Sequence, residues 1–354
     1  MFLSRRRFLQ ASVGLPGLAL AGCRSADLQL LLPGNTVPAP ILRRFQDRTQ
    51  ITVQLDRAAG LVDSSRLLLT EDPSRLPNLL GIGDAWLQSA IASGRLAPFN
   101  PNYWRHWTSL PQRWRQQLRR DRQGVPSEAG EIWAAPYRWG TTMIAFRRDR
   151  LTSPLQDWTD LWRPELRGQL ILPDDPREVI GLTLKRLGWS YNQANLAEIP
   201  QLEPLLAALQ QQVKLYSSRN YLQPLLLGDA LAAVGWSADI LAALRRDSRL
   251  AAVVPRSGTA IWLDLWVQPQ GRVSEVFSDR WIDFGWAPTI ATQFSQLGPA
   301  ASPAILTAAA VAPVDANPLQ IPPTAVLDKS ELILPLPEAV RDRYLALWQT
   351  MRQG

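Results

Sequence analysis

From Leu28 to Val254 the chain alternates short apolar runs, stopped by turn-forming residues, with segments whose apolar residues recur at helical spacing. Leu28–Leu32 is ended by Pro33-Gly34, a helical pattern runs from Pro40 to Asp47, and Ile51–Leu55 is strand-like. Asn78–Ile82 reads as a strand, and Asp84 to Gly94 as a helix that starts at an Asp cap and stops at Gly. Gln169–Leu172, Val213–Tyr216, Leu231–Val234 and Ala251–Val254 read as further strands, with helical stretches at Leu222–Leu227 and Ser237–Arg246 between them. Such an order predicts an α/β fold with covered, largely parallel sheets. Beyond it, Val273–Gly285 and Pro288–Leu297 have helical patterns, a Pro-rich segment spans Ala312–Pro323, and a last helix is expected over Pro337–Arg352. A chain of 354 residues can form two α/β lobes, with several crossings between them, or one large domain. Pattern alone leaves both open.

The N-terminus reads as an address. Ser4-Arg5-Arg6-Arg7-Phe8-Leu9 carries twin arginines followed by Phe-Leu, the pattern of the bacterial twin-arginine export route. The apolar segment from Ala11 to Ala21 is too short to span a bilayer and is softened by Gly14, Pro16 and Gly17, as in a signal peptide. It ends in Leu20-Ala21-Gly22-Cys23, which resembles a bacterial lipoprotein box, so residues 1–22 are expected to be cleaved and Cys23 lipidated. Cys23 is the only cysteine and His106 the only histidine. A single cysteine rules out a disulfide within the chain, a single histidine argues strongly against a zinc site or a histidine-dependent triad, and no metal or cofactor is expected.

Losing residues 1–22 removes Arg5, Arg6 and Arg7 and no acid, lowering the net charge from +7 to +4. Much of the excess lies between Trp104 and Arg122, where arginines interleave with tryptophans. In an exported protein that mixture reads as a solvated helix face with snorkelling arginines rather than a nucleic-acid surface. Trp158 and Trp162, four apart, read as one packing stripe.

The stretch 172–188, Leu-Pro-Asp-Asp-Pro-Arg-Glu followed by an apolar-periodic run, puts Asp175 at an N-cap, Pro176 at the first helical position and Glu178 at the third. This is the pattern of a capping box, with both carboxylates at the positive end of the helix dipole. The same two acids could hold a cation, and spacing does not choose between the roles.

Several segments in order resemble the spermidine/putrescine-binding proteins, the solute receptors of bacterial polyamine ABC importers. Ala135-Pro136-Tyr137-Arg138-Trp139-Gly140-Thr141-Thr142 looks like that family's first inter-lobe crossing, and Asp157 to Gly168 its Trp-x-Asp-Leu-Trp segment. Asp174-Asp175-Pro176-Arg177-Glu178 is similar to its helix start, and Trp262-Leu263-Asp264 with Pro269 to its second crossing. The resemblance implies a two-lobed periplasmic-binding-protein fold of type II, without catalysis, closing on a ligand between hinged lobes. Residues 27–137 plus about 266–311 would form lobe 1, and 138–265 plus about 312–354 lobe 2. Carried over position by position, it implies ligand contacts from Asp175, Glu178, Ser218, Trp236, Trp262, Asp264 and Gln349, with Asp84, Trp86 and Trp139 as further candidates. Carboxylates would pair with ammonium groups while Trp faces cover the methylenes and attract the cations. The implied partners are a small cationic solute, an inner-membrane permease and the membrane itself through the lipid, for a monomeric protein.

The chain departs from this pattern in its first lobe. The loop Leu32-Pro33-Gly34-Asn35-Thr36-Val37 has no aromatic residue, and Gly83-Asp84-Ala85-Trp86 stands where the family offers Ser or Thr plus Tyr. The same fold with a different small cation or solute, or a non-transport interaction lipoprotein, therefore stays open as an alternative. An iron receptor is disfavoured because no Tyr-Tyr pair occurs, and an exported enzyme by the single His and the lack of a Gly-rich nucleotide loop.

Overall fold

The computed structural model describes residues 26–271, 276–306 and 317–353. The signal segment, Cys23 and the expected lobe boundary near residue 311 lie outside the described residues. Among the described residues no helix is long and apolar enough to cross a membrane.

In the first half, strand Leu28–Pro33 pairs in parallel with Val53–Ala58 on one side and Leu79–Gly83 on the other. Helices Ala39–Thr49 and Leu61–Thr70 make the connections. The central strand is apolar almost throughout because the sheet is covered on both faces, whereas the edge strand Val53–Ala58 alternates. The second half repeats the theme with Leu170–Leu172 between Val213–Tyr216 and Ala232–Trp236, all parallel.

Two long strands join the halves. Ala135–Arg147 and Ala260–Pro269 run antiparallel to each other, in register from Ile261 opposite Thr141 to Asp264 opposite Arg138. A slip between Asp264 and Leu265 then sets Leu265 opposite Pro136. Ala260–Pro269 pairs onward to Leu79–Gly83, and Ala135–Arg147 to Ala232–Trp236 and Leu250–Val253. One hydrogen-bonded path thus runs through both halves by way of the two crossings.

Each half buries apolar residues of its own, one large cluster in the first and two in the second, giving two lobes. The first holds Phe45, Trp114, Trp139, Trp266 and Trp281; the second holds Trp158, Tyr191, Leu206, Tyr344 and Trp348. The final helix Glu338–Gln353 joins the second core through Tyr344, Trp348 and Met351, at the i, i+4, i+7 spacing of one helical face. Within 317–332, which the sequence reading puts in lobe 2, Ile321 and Leu327 pack in the first core, while Leu319 and Val326 lie against the second half's cluster around Met143, Ile171 and Tyr221. In the basic, Trp-rich segment Trp104, Trp107 and Trp114 are first-core residues while Arg105, Arg113 and Arg122 are exposed; the correction is Arg120, which is buried, its guanidinium donating to the Gln117 and Gly124 carbonyls at 2.9 and 3.1 Å. On the short helix Gln112–Leu118, Trp114 and Leu118 are buried while Gln112, Arg113 and Gln116 stay exposed, the apolar area of the indole deciding which face turns inward.

Candidate functional site

Alternation along the crossing strands decides which side chains meet. Residues two apart in a strand point the same way, and so do residues directly paired across strands. Arg138, Gly140 and Thr142 therefore share a face with Asp264 and Trp262, which lie opposite Arg138 and Gly140, and with Trp236, which lies opposite Thr142. Asp84 enters from the first lobe, one residue past Gly83, which is itself paired with Asp264. The junction between the lobes thus gathers four of the expected ligand residues along one strand face.

Helix Pro176–Arg186 adds the fifth and sixth. Asp175 caps it, Oδ1 accepting the backbone N–H groups of Arg177 and Glu178 at 2.7 and 3.2 Å. The other half of the expected capping box does not form. Glu178 turns inward and is 6% exposed; Oε1 accepts the Thr142 hydroxyl at 3.0 Å, and Oε2 is buried with no hydrogen-bond partner among the described residues. Burial, reinforced by the Asp175 charge and opposed by the Thr142 hydroxyl, pushes the Glu178 carboxyl up to about 8. The neighbouring Arg177 is committed elsewhere, donating to the Leu334 and Tyr191 carbonyls at 2.9 and 3.1 Å and covering the Tyr344 ring at 5.0 Å. A carboxyl held in this way carries a proton at neutral pH and gives it up to a cation placed against it.

Asp264, only 1% exposed, is treated differently. Its Oδ2 is ion-paired with Arg138 Nε, and the Arg138 guanidinium stands 5.6 Å over the Trp262 ring. Burial raises the Asp264 pKa, with the guanidinium pulling against it. The Trp262 indole N–H donates to the Thr141 carbonyl at 3.2 Å, laying its ring across Gly140. A Cβ on Gly140 would lie 2.3 Å from both Trp262 Cζ2 and Ser237 Oγ, so the glycine is required for this approach. Half-buried Asp84 is pushed up to about 7 by burial, against the pull of Arg120 and with the Asp264 charge adding to it.

The remaining candidates divide. Trp236 is half-buried beside the Glu178–Thr142 pair, braced edge-on by Tyr221 at 5.5 Å; the Tyr221 hydroxyl accepts the Trp236 N–H at 3.0 Å and donates to Asp239 at 3.1 Å. Ser218 accepts the Asp174 N–H at 3.0 Å and so holds the loop that leads into the Asp175 cap. Trp86 is half-buried against the first core. Trp139 is corrected: it points to the opposite face of its strand, is fully buried, and bonds the Ser302 carbonyl at 3.2 Å, so it is a core residue. Gln349 lies exposed on the final helix, next to core residue Trp348, and no hydrogen bond among the described residues ties it to the others. Sequence reasoning missed Arg138, Gly140 and Thr142, although the period of two along a crossing strand singles them out over Trp139. Among the described residues no group of three or more His, Cys, Asp or Glu could hold a metal.

The sequence profile of the bacterial extracellular solute-binding proteins matches residues 74–327, more than half of the chain. The chain belongs to this family. Its relatives include the spermidine/putrescine-binding periplasmic protein of Salmonella typhimurium, 27% identical over 201 residues that cover 56% of this chain and 58% of that protein. The Escherichia coli protein of the same description is 28% identical over 177 residues, 50% of this chain and 51% of its own. The match to these curated relatives therefore spans little more than half of their length. The putrescine/cadaverine-binding protein of Pseudomonas aeruginosa is 28% identical over 171 residues, 44% of this chain and 48% of that one. In fold, this solute-binding protein matches the spermidine/putrescine ABC transporter substrate-binding protein of Streptococcus pneumoniae with a TM-score of 0.80 at 19% identity, over 93% of this chain and 99% of that one. The two-lobed architecture is thereby shown, and the motif resemblance to spermidine/putrescine-binding proteins agrees with the relatives found.

Proposed function

We propose that this solute-binding protein captures a polyamine-class cation between its lobes and delivers it to the permease of an ABC importer. The observation that carries the reading is Glu178: a buried carboxyl whose second oxygen has no partner among the described residues, set beside Asp175 and half-buried Trp236. An ammonium placed there replaces the proton, gains charge-assisted hydrogen bonds, and rests its methylenes on the indole. Relatives that bind spermidine, putrescine or cadaverine support the same ligand class. In this reading residues 27–137 with about 266–311 form one lobe, and 138–265 with about 312–354 the other, the last segment also reaching into the first core; closure about the crossings makes the surface that the permease recognises. The twin-arginine motif and the box ending at Cys23 support export to the periplasmic side and anchoring by lipid; in this reading the protein is a monomer that binds and delivers without catalysis.

Calorimetric titration of the mature protein with putrescine, cadaverine and spermidine tests the reading. Saturable heat with at least one amine is expected, falling steeply in Glu178→Gln. Neither heat nor thermal stabilisation with any of the three would overturn it.

A further inference from the structure

The junction offers acidic stations in three places: Glu178 with Asp175, Asp84, and Asp264. They are not equally open to a ligand. Glu178 Oε2 is unpartnered among the described residues, and half-buried Asp84 feels the Arg120 charge without forming a salt bridge with it, the Arg120 guanidinium being bonded to the Gln117 and Gly124 carbonyls. Asp264 already holds a cation that belongs to the chain. Arg138 lies directly opposite it in strand register, bonds its Oδ2, and stacks over Trp262. Carboxylate on one side and indole face on the other are the contacts an alkylammonium would seek, and here a guanidinium makes both. The pair is well fixed: the Arg138 side chain is 13% exposed and that of Asp264 is 2% exposed. Withdrawing the guanidinium would strand a buried carboxylate, which is more costly than leaving the pair intact.

We propose that Arg138 is a specificity-determining residue, a built-in counter-cation that closes the Asp264 station and limits the bound solute to about two ammonium groups. This rests on the cationic-solute reading above and narrows it. A short diamine satisfies Glu178 and Asp84, whereas the extra ammonium of a triamine meets a guanidinium instead of a free carboxylate. Like charges within a few ångströms in a partly desolvated site repel strongly enough to reverse a preference for the more highly charged ligand.

The affinities of full-length mature protein for putrescine and spermidine, measured by calorimetry, test this. The wild-type protein is expected to bind putrescine at least as tightly as spermidine. Arg138→Met keeps the aliphatic stem and frees Asp264, and should shift the spermidine-to-putrescine affinity ratio about tenfold or more toward spermidine, the worth of one charge-assisted contact. Arg138→Lys should retain the wild-type ratio. The double variant Arg138→Met with Asp264→Asn, which removes both charges together, should not gain spermidine affinity. A wild-type preference for spermidine of tenfold or more overturns the proposal even if Arg138→Met fails to fold, and so does an unchanged ratio in folded Arg138→Met. If neither amine binds the wild-type protein or any variant, the cationic-solute reading falls and this inference with it; binding with an unchanged ratio removes this inference alone.

Discussion

Glu178 and Asp264 are buried carboxyls in the same junction, and they are made tolerable in opposite ways. Asp264 stays beside a permanent positive charge, Arg138, supplied from the neighbouring strand. Glu178 has no guanidinium bonded to it; it accepts one hydroxyl and keeps its proton until about pH 8. Burial without a partner is paid for by protonation, and burial with a partner by an ion pair. The difference separates a group that serves structure from one able to receive a ligand, although the two sit on residues of the same chemical type.

The comparison is broken most directly by removing one acid at a time. Asp264→Ala leaves the Arg138 guanidinium buried and unpaired, and should cost about 3–5 kcal/mol in chemical denaturation. Glu178→Gln removes no partner of any cation, and at pH above 8 it should leave stability unchanged or higher. Equal losses in the two variants would show that Glu178 is as structural as Asp264.

A second break uses pH. In the unfolded chain Glu178 loses its proton near the ordinary glutamate value of 4.5, while in the fold burial holds it on to about 8. The folded state therefore binds more protons across that window, and its stability is full below about pH 4.5, falls as pH rises to about 8, and is flat beyond. Asp84, raised to about 7, adds a slope of the same sign. The ligand-free protein should lose a few kcal/mol between pH 5 and 8, and Glu178→Gln should remove most of that slope. A permanently charged amine should show the converse, binding more tightly as pH rises over the same range and releasing a proton as it binds. Isothermal titration in buffers of different ionisation heat measures that proton.

Gly140 sharpens the comparison on the Asp264 side. Gly140→Ala drives a Cβ to 2.3 Å from Trp262 Cζ2 and Ser237 Oγ, so either the ring moves or the crossing strands part. A cost of about 1–3 kcal/mol is expected in thermal denaturation, with loosening of the Arg138–Trp262 stack visible in a crystal structure of the variant. Full stability would mean that Trp262 is free to turn, and that the stack does not depend on this strand geometry.

Much of the fold was legible because its signals are local. Strand ends marked by Pro33-Gly34, the helix cap at Asp175 and the apolar stripe of Tyr344, Trp348 and Met351 each announce themselves within a few residues. The site was legible only in part. Glu178, Trp236, Trp262 and Asp264 followed from motif resemblance and do meet, but their states did not follow. Whether Glu178 completes a capping box or turns toward Thr142 depends on a strand 36 residues away. That Asp264 is paired depends on register with Arg138, 126 residues away. The arginine-rich segment was legible as a solvated face except at Arg120, whose guanidinium turns inward to the Gln117 and Gly124 carbonyls. Parity was the overlooked signal: once Ala135–Arg147 is recognised as a strand, Arg138, Gly140 and Thr142 share the site face and Trp139 faces the core.

Gln349 gives the smallest expected effect and the cleanest boundary for the comparison. It was assigned to the ligand by resemblance, yet it lies exposed, one residue beyond Trp348, on a helix held by core contacts. An exposed helical Gln without a hydrogen bond to the site changes stability by less than about 0.5 kcal/mol when truncated. Gln349→Ala should therefore leave both the denaturation midpoint and the putrescine affinity as they are, while Glu178→Gln abolishes most of the affinity. A severalfold loss of affinity in Gln349→Ala with unchanged stability would mean that the liganded protein brings the final helix over the junction. Recognition would then extend beyond the strand face on which Glu178 and Asp264 are contrasted.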